Sequence, residues 1–214
     1  MNTSPEKTSV KSSTKANKKE KRRLEIVAAA IETFAKKGYH KTSISEIIEK
    51  ANIARGTFYL YFDGKHSIFE SILEDALNDL RSCIRPVDLS TGSRPPVVQL
   101  RENVTRILEF VTLHPPLVKL LFNPGLSPND VINGKIESFF GMGQMLLESA
   151  IKHGVQLKLV APCEVEIVAS AAMGALRGVV QHYIARNKKV DLTEATETIL
   201  RFALSGILRS TPKN

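Results

Sequence analysis

TSISEIIEKANIARGTFYLYF, residues 42–62, is the stretch on which the fold turns. It opens with Ser43-Ile44-Ser45-Glu46, a serine three residues ahead of a carboxylate, which is the pattern of a reciprocal helix cap. Ile44, Ile47, Ile48 and Ala51 follow at helical spacing and predict one buried face. Asn52 stands where that helix must end, and asparagine tolerates positive φ. A further short helix starts near Ala54 or Arg55 and runs to about Phe62, where Asp63-Gly64 breaks it. Two short helices joined by a tight turn make a helix-turn-helix, in which the first braces the second and the second offers a face to the major groove. Phe58 and Phe62, at i and i+4, point inward, leaving Arg55, Thr57, Tyr59 and Tyr61 for the other faces.

The exposed set suits DNA. Gly56 removes a side chain where backbone meets duplex, Thr57 and the tyrosine hydroxyls can donate to phosphate oxygens, and Arg55 can fork onto a guanine edge. Lys65, opening the next helix, can add its charge to helix-end amides on one phosphate. Each has a plainer reading: Tyr59 as core, Lys65 as a solvated lysine, Thr42 as a turn residue.

Outward from this centre, all periodicity is helical. Upstream, Leu24, Val27, Ala28, Ile31, Phe34 and Ala35 predict one stripe, stopped by Gly38 as a left-handed cap. Downstream, Ile68, Phe69, Ile72, Leu73 and Ala76 form the stripe of a helix from Lys65. Residues 85–96, RPVDLSTGSRPP, read as a connector. Helices are then expected over about 97–112, through Leu120 and Phe122, over 130–153 with Gly154 ending it, over 163–187 and over 192–208. The chain is therefore expected to be all-α, with a disordered basic tail at 1–18, a helix-turn-helix domain at 19–65 and a larger helical domain at 66–214.

Charge and composition narrow the function. The formal net charge is +8, and residues 1–23 hold eight basic and two acidic residues, so the arm carries most of it. A basic arm on a near-neutral body points to a polyanion. The two cysteines, Cys83 and Cys163, read as buried thiols of a reducing cytoplasm, and neither a secretory signal nor a membrane-spanning run is evident. The five histidines are scattered, with no metal-ligand spacing and no glycine-rich phosphate loop, so no cofactor, metal or catalytic residue is expected.

Gly38-Tyr39-His40-Lys41-Thr42-Ser43, Ile47, Ala51-Asn52-Ile53, Gly56-Thr57-Phe58-Tyr59-Leu60-Tyr61-Phe62 and Lys65 resemble the DNA-binding domain of the TetR family of repressors, across about residues 22–75. The resemblance implies phosphate contacts from Thr42 and Ser43, a groove-facing Ser45, base-edge and sugar-phosphate contacts from Arg55, Gly56 and Thr57, and a backbone clamp of Tyr59, Tyr61 and Lys65. The chain departs from the family at Asn52, usually Gly, and at Ala54, usually a capping residue. Asn52 can make the same turn, but Ala54 cannot cap, at a cost of about 1 kcal/mol.

The C-terminal half resembles the family only in plan, which implies a ligand-binding domain whose last two helices pair with a second copy. Ile167, Ala171, Gly174, Ala175 and Gly178, then Ile199, Phe202, Ala203 and Ile207, give two helices small-and-aliphatic faces suited to that homodimer. Phe110, His114, Leu117, Leu121, Phe139, Phe140, Met142 and Met145 are the candidates for lining a site for a mostly apolar effector. The expected protein is a cytoplasmic repressor on a palindromic operator of double-stranded DNA. A non-specific architectural DNA-binding protein, an enzyme and a protein-binding adaptor are the rivals.

Overall fold

The computed structural model describes the backbone over residues 6–123, 130–186 and 191–205, and side chains over 17–123, 131–183 and 191–204. Within them lie helices α1 (Glu6–Lys37), α2 (Ile44–Lys50), α3 (Arg55–Tyr59), α4 (Lys65–Cys83), α5 (Pro96–Leu113), α6 (Pro115–Phe122), α7 (Asp130–Gln156), α8 (Val165–Arg186) and α9 (Leu192–Ser205). The all-α fold is as expected. Two compact units divide after Asp75, inside α4. None of the described helices is long and apolar enough to cross a membrane.

In the first unit α1 packs on α2 and α2 on α3. Phe34, Phe58, Ile26, Ile47 and Ile68 are fully buried, and Phe34 meets Phe69 edge-on at 5.0 Å between ring centroids. The buried face of α1 is Ile26, Ala29, Ala30, Thr33, Phe34 and Ala35, which keeps Phe34 and Ala35 of the expected stripe and corrects its start: Leu24 is 54% exposed and Ala28 lies in solvent. Residues 26–31, IVAAAI, are apolar on every face, so periodicity cannot fix the phase there; packing on the neighbouring helices does.

A second correction concerns the tail. α1 begins at Glu6, not near Lys19. No Gly or Pro interrupts residues 6–37, so a helix anchored at its C-terminal half propagates outward one hydrogen bond per residue without a second nucleation.

In the second unit α5 pairs with α9, α7 with α8, and α8 also with α6 and α9. Thr105 and Thr196 share a hydrogen bond at 3.3 Å, and Arg101 Nε lies 2.9 Å from Glu197, both linking α5 to α9. The Asn103 amide accepts from the Arg85 N–H (3.0 Å) and donates to the Arg85 carbonyl (2.8 Å), pinning the connector. Gly154 does not end α7, which runs on to Gln156; the left-handed turn is made by Lys158, at φ 60°. What Gly154 provides is room: a Cβ there would stand 2.7 Å from Val160 Cγ2. Cys83 and Cys163 are free and half-buried, not fully buried as expected.

Candidate nucleic-acid interface

The turn into α2 is built from hydroxyls. Gly38, at φ 78°, takes the left-handed conformation that ends α1, and its N–H reaches the Phe34 carbonyl at 2.7 Å. Ser43 caps α2: its hydroxyl accepts from the Glu46 N–H (3.3 Å) while the Glu46 carboxylate accepts from the Ser43 N–H (2.8 Å). Lys37 pairs with the same carboxylate. Its bond to Lys37, then those to Ser43, hold the Glu46 carboxyl down at about 2. Ser45 is exposed on the first turn.

Thr42 corrects one expectation. Its side chain is 2% exposed, and Oγ1 donates to the Gly38 carbonyl at 2.8 Å, so the hydroxyl closes the turn and does not face outward. Lys65 is similarly committed. Its ammonium donates to the carbonyls of Tyr39 and Thr42, each at 2.9 Å, and sits 4.3 Å from the Tyr39 ring centroid. Tyr39, to which the sequence pattern assigns no role, is the centre of this knot: it stacks on Phe34 at 5.9 Å and meets Phe69 edge-on at 5.3 Å. Burial pushes its phenol pKa up. The legible signal is an aromatic directly after the glycine cap.

Between α2 and α3 the backbone turns at Asn52, with φ 50°, as its position foretells. Ala54 occupies the N-cap of α3 without any side-chain bond to the helix amides. The helix is shorter than expected, because its regular turns end at Tyr59; Tyr61 and Phe62 still donate to the Phe58 carbonyl at 3.0 and 3.1 Å. Phe58 and Phe62 are buried, while Arg55 and Gly56 are exposed, Tyr59 is 44% exposed, and Thr57 and Tyr61 are half-buried. Arg55 lies 6.0 Å from the Tyr59 ring, and among the described residues no acid pairs with it. A Cβ on Gly56 would meet nothing within 4 Å, so nothing inside the chain calls for glycine there. Leu60, 76% exposed, is a further outward side chain that the sequence pattern does not single out.

The candidates in the second unit fall into separate groups. Phe110, Leu117, Leu121 and Phe139 are buried, Phe140 is half-buried under Arg177 at 4.8 Å, and His114 is exposed against Phe110. Met142 and Met145 lie outside this core, in a shallow groove of about 510 Å³ with Ser138, Gly141, Gln144 and Glu148. The eight are therefore not gathered in one place: Phe139 of α7 is buried, while Met142 and Met145 of the same helix are exposed in the groove. On α8, Ile167, Ala171, Gly174 and Gly178 are exposed and Ala175 is half-buried; on α9, Phe202 is 72% exposed and Ile199 and Ala203 are half-buried. Ile207 lies outside the described residues. Among the described residues no cluster of His, Cys, Asp or Glu could hold a metal.

The chain is similar to known proteins. The family model described as bacterial regulatory proteins, tetR family, matches residues 26–72. An uncharacterized HTH-type transcriptional regulator of Bacillus subtilis, YuxN, is 30% identical over 110 residues, 51% of this chain but only 37% of that protein. The probable acrEF/envCD operon repressor of Escherichia coli K12 is 27% identical over 177 residues, 80% of each chain. The solved structure of the transcriptional regulator FadR from Bacillus subtilis in complex with stearoyl-CoA superposes with a TM-score of 0.68 at 21% identity, covering 86% of this chain and 98% of that one.

Proposed function

Because the chain belongs to the TetR family of bacterial regulatory proteins, we propose that it is a homodimeric cytoplasmic repressor that holds a palindromic operator through two copies of α3 and leaves it when a small, mostly apolar effector binds its C-terminal helices. No catalytic role forms part of this reading.

One observation carries the DNA reading. α3 buries Phe58 and turns Arg55, Gly56 and Tyr59 outward, and Gly56 costs the helix about 1 kcal/mol relative to Ala with no internal contact to explain it. A backbone approached closely by an external partner explains it. In this reading Arg55 meets a base edge, Thr57, Tyr59 and Tyr61 donate to phosphates, and the Ser43 and Ser45 hydroxyls line the start of α2. Leu60 supplies apolar contact of the kind a thymine methyl accepts. Thr42 and Lys65 act from behind, holding the turn that aims α2.

The exposed face of α8 from Ile167 through Gly178, with Phe202 of α9, supports the homodimer. For the effector, the support is the aliphatic and aromatic side chains carried by α5–α7 and the stearoyl-CoA held by the FadR of similar fold.

The test is a gel-shift titration of the purified protein against DNA upstream of its own gene, with random duplex as competitor, followed by addition of stearoyl-CoA. Tight binding that survives competitor, with two or four chains per duplex, supports the regulator, and release on adding the thioester supports the effector class. Binding that random duplex removes completely favours the architectural protein instead.

A further inference from the structure

α1 is far longer than its role in the head requires. At Arg23 it is tied to α4 and to the recognition segment: the guanidinium donates to Ser71 Oγ (2.8 Å) and Asp75 (3.1 Å) and lies 5.9 Å from the Phe62 ring. Phe62 closes the recognition segment, so the N-terminal extension of α1 leaves the head beside the end of α3. From Glu6 to Arg23 a helix rises about 25 Å, the length of roughly seven base pairs.

This stretch is strongly charged. Lys18, Lys19 and Lys21 are exposed, and among the described residues none of them has an acidic partner, whereas Arg22 and Arg23 are paired with Glu25 and with Glu20 and Asp75. Three more lysines, Lys7, Lys11 and Lys15, precede them at intervals of four, one face of a helix.

We propose that the N-terminal extension of α1 is a second DNA-binding element, which lays Lys18, Lys19 and Lys21 on phosphates flanking the half-site read by α3. The contact is independent of sequence, because lysines on phosphates position a protein without reading bases. It rests on the DNA-binding reading of α3 given above. Its consequence is a longer footprint and a steeper salt dependence than a head of residues 26–72 alone would have.

The test compares the full chain with K18Q/K19Q/K21Q and, separately, R55A, on a mixed-sequence 40-base-pair duplex and on the DNA upstream of the gene, by fluorescence anisotropy from 50 to 200 mM KCl. Removing one phosphate-bound lysine lowers the slope of log K against log salt by about 0.9, so the triple variant should escape about 40-fold of the salt-driven loss of affinity per bound chain across that range, and about 1,800-fold for a homodimer that loses six lysines, on both duplexes alike. R55A should weaken binding to the upstream DNA and leave the salt slope within about one phosphate's worth of the unsubstituted chain. An unchanged slope in the triple variant, with unsubstituted protein binding normally, overturns the second element and leaves the α3 reading standing. Failure of the unsubstituted chain to bind either duplex at 50 mM KCl overturns both. The lysines are exposed, so circular dichroism of the triple variant should match the parent; K7Q/K11Q/K15Q, measured the same way, shows how far along the helix the contact reaches.

Discussion

Residues 26–73 bury Phe34, Phe58, Phe62 and Phe69, whereas α7, α8 and α9 leave Val131, Met145, Ile167 and Phe202 in solvent. The first region also satisfies several of its polar groups from within itself: Ser43 with Glu46, Thr42 with Gly38, Lys65 with two carbonyls. In the first region what remains outside is mostly polar and suited to phosphate. The second presents a row of small and branched residues that a single chain does not cover. The head covers its apolar core within one chain, while the C-terminal helices leave large apolar side chains exposed.

Substitutions can break or sharpen that contrast. The largest effect is expected from Phe58→Ala. Removing a fully buried ring from the small core should cost about 3–5 kcal/mol in urea unfolding and abolish operator binding. A loss below about 1 kcal/mol would mean that the head is loosely packed. Ile167→Asp comes next. It should lower the unfolding free energy of the isolated chain by less than about 0.5 kcal/mol, because the residue is 68% exposed there. It should weaken self-association by about 3 kcal/mol, or more than 100-fold in Kd by sedimentation, if the face is buried between copies. A dimer that persists would take Ile167 out of the interface. Ala54→Ser should raise stability by about 1 kcal/mol, since the N-cap of α3 has extended backbone and no side-chain bond; an unmoved urea midpoint would show the site already satisfied by solvent. The smallest effect concerns Glu46. Its carboxyl titrates near 2 in the folded chain, below its ordinary value of 4.5, so its contribution is full above about pH 4.5 and disappears as pH falls towards 2. The stability difference between parent and Glu46→Gln should therefore shrink across that window, and a difference constant from pH 6 to 2 would remove the cap from the account.

The head is the more legible of the two regions, for a physical reason. Its geometry depends on local chemistry: the Ser43–Glu46 cap, the positive φ of Asn52 and the i, i+4 pair of Phe58 and Phe62 all lie within a few residues of what they bond or pack against. Local patterns fail where the partner is distant. The phase of α1 escapes periodicity because residues 26–31 are apolar all round, and only the helices packed on them select Ile26 and Ala30. Lys65 reads as a free cation because its acceptors, Tyr39 and Thr42, are carbonyls more than twenty residues away. Gly154 reads as a helix stop because its neighbour Val160 lies beyond the turn. The effector candidates scatter for the same reason: composition marks them as apolar but not which of them the neighbouring helices cover.

The empty space around Gly56 bears on how such a head diverges. Ser45, Arg55 and Gly56 face outward, whereas Ile47, Phe58 and Phe62, which fix the helices, are buried, and a side chain added at Gly56 would disturb nothing within the chain. Drift at these outward positions is thus nearly neutral for folding. A duplicated copy of the gene could acquire a new operator by a few outward substitutions while the scaffold beneath stays unchanged, and the sequences of such descendants would vary at the surface of α3 long before they varied in its core.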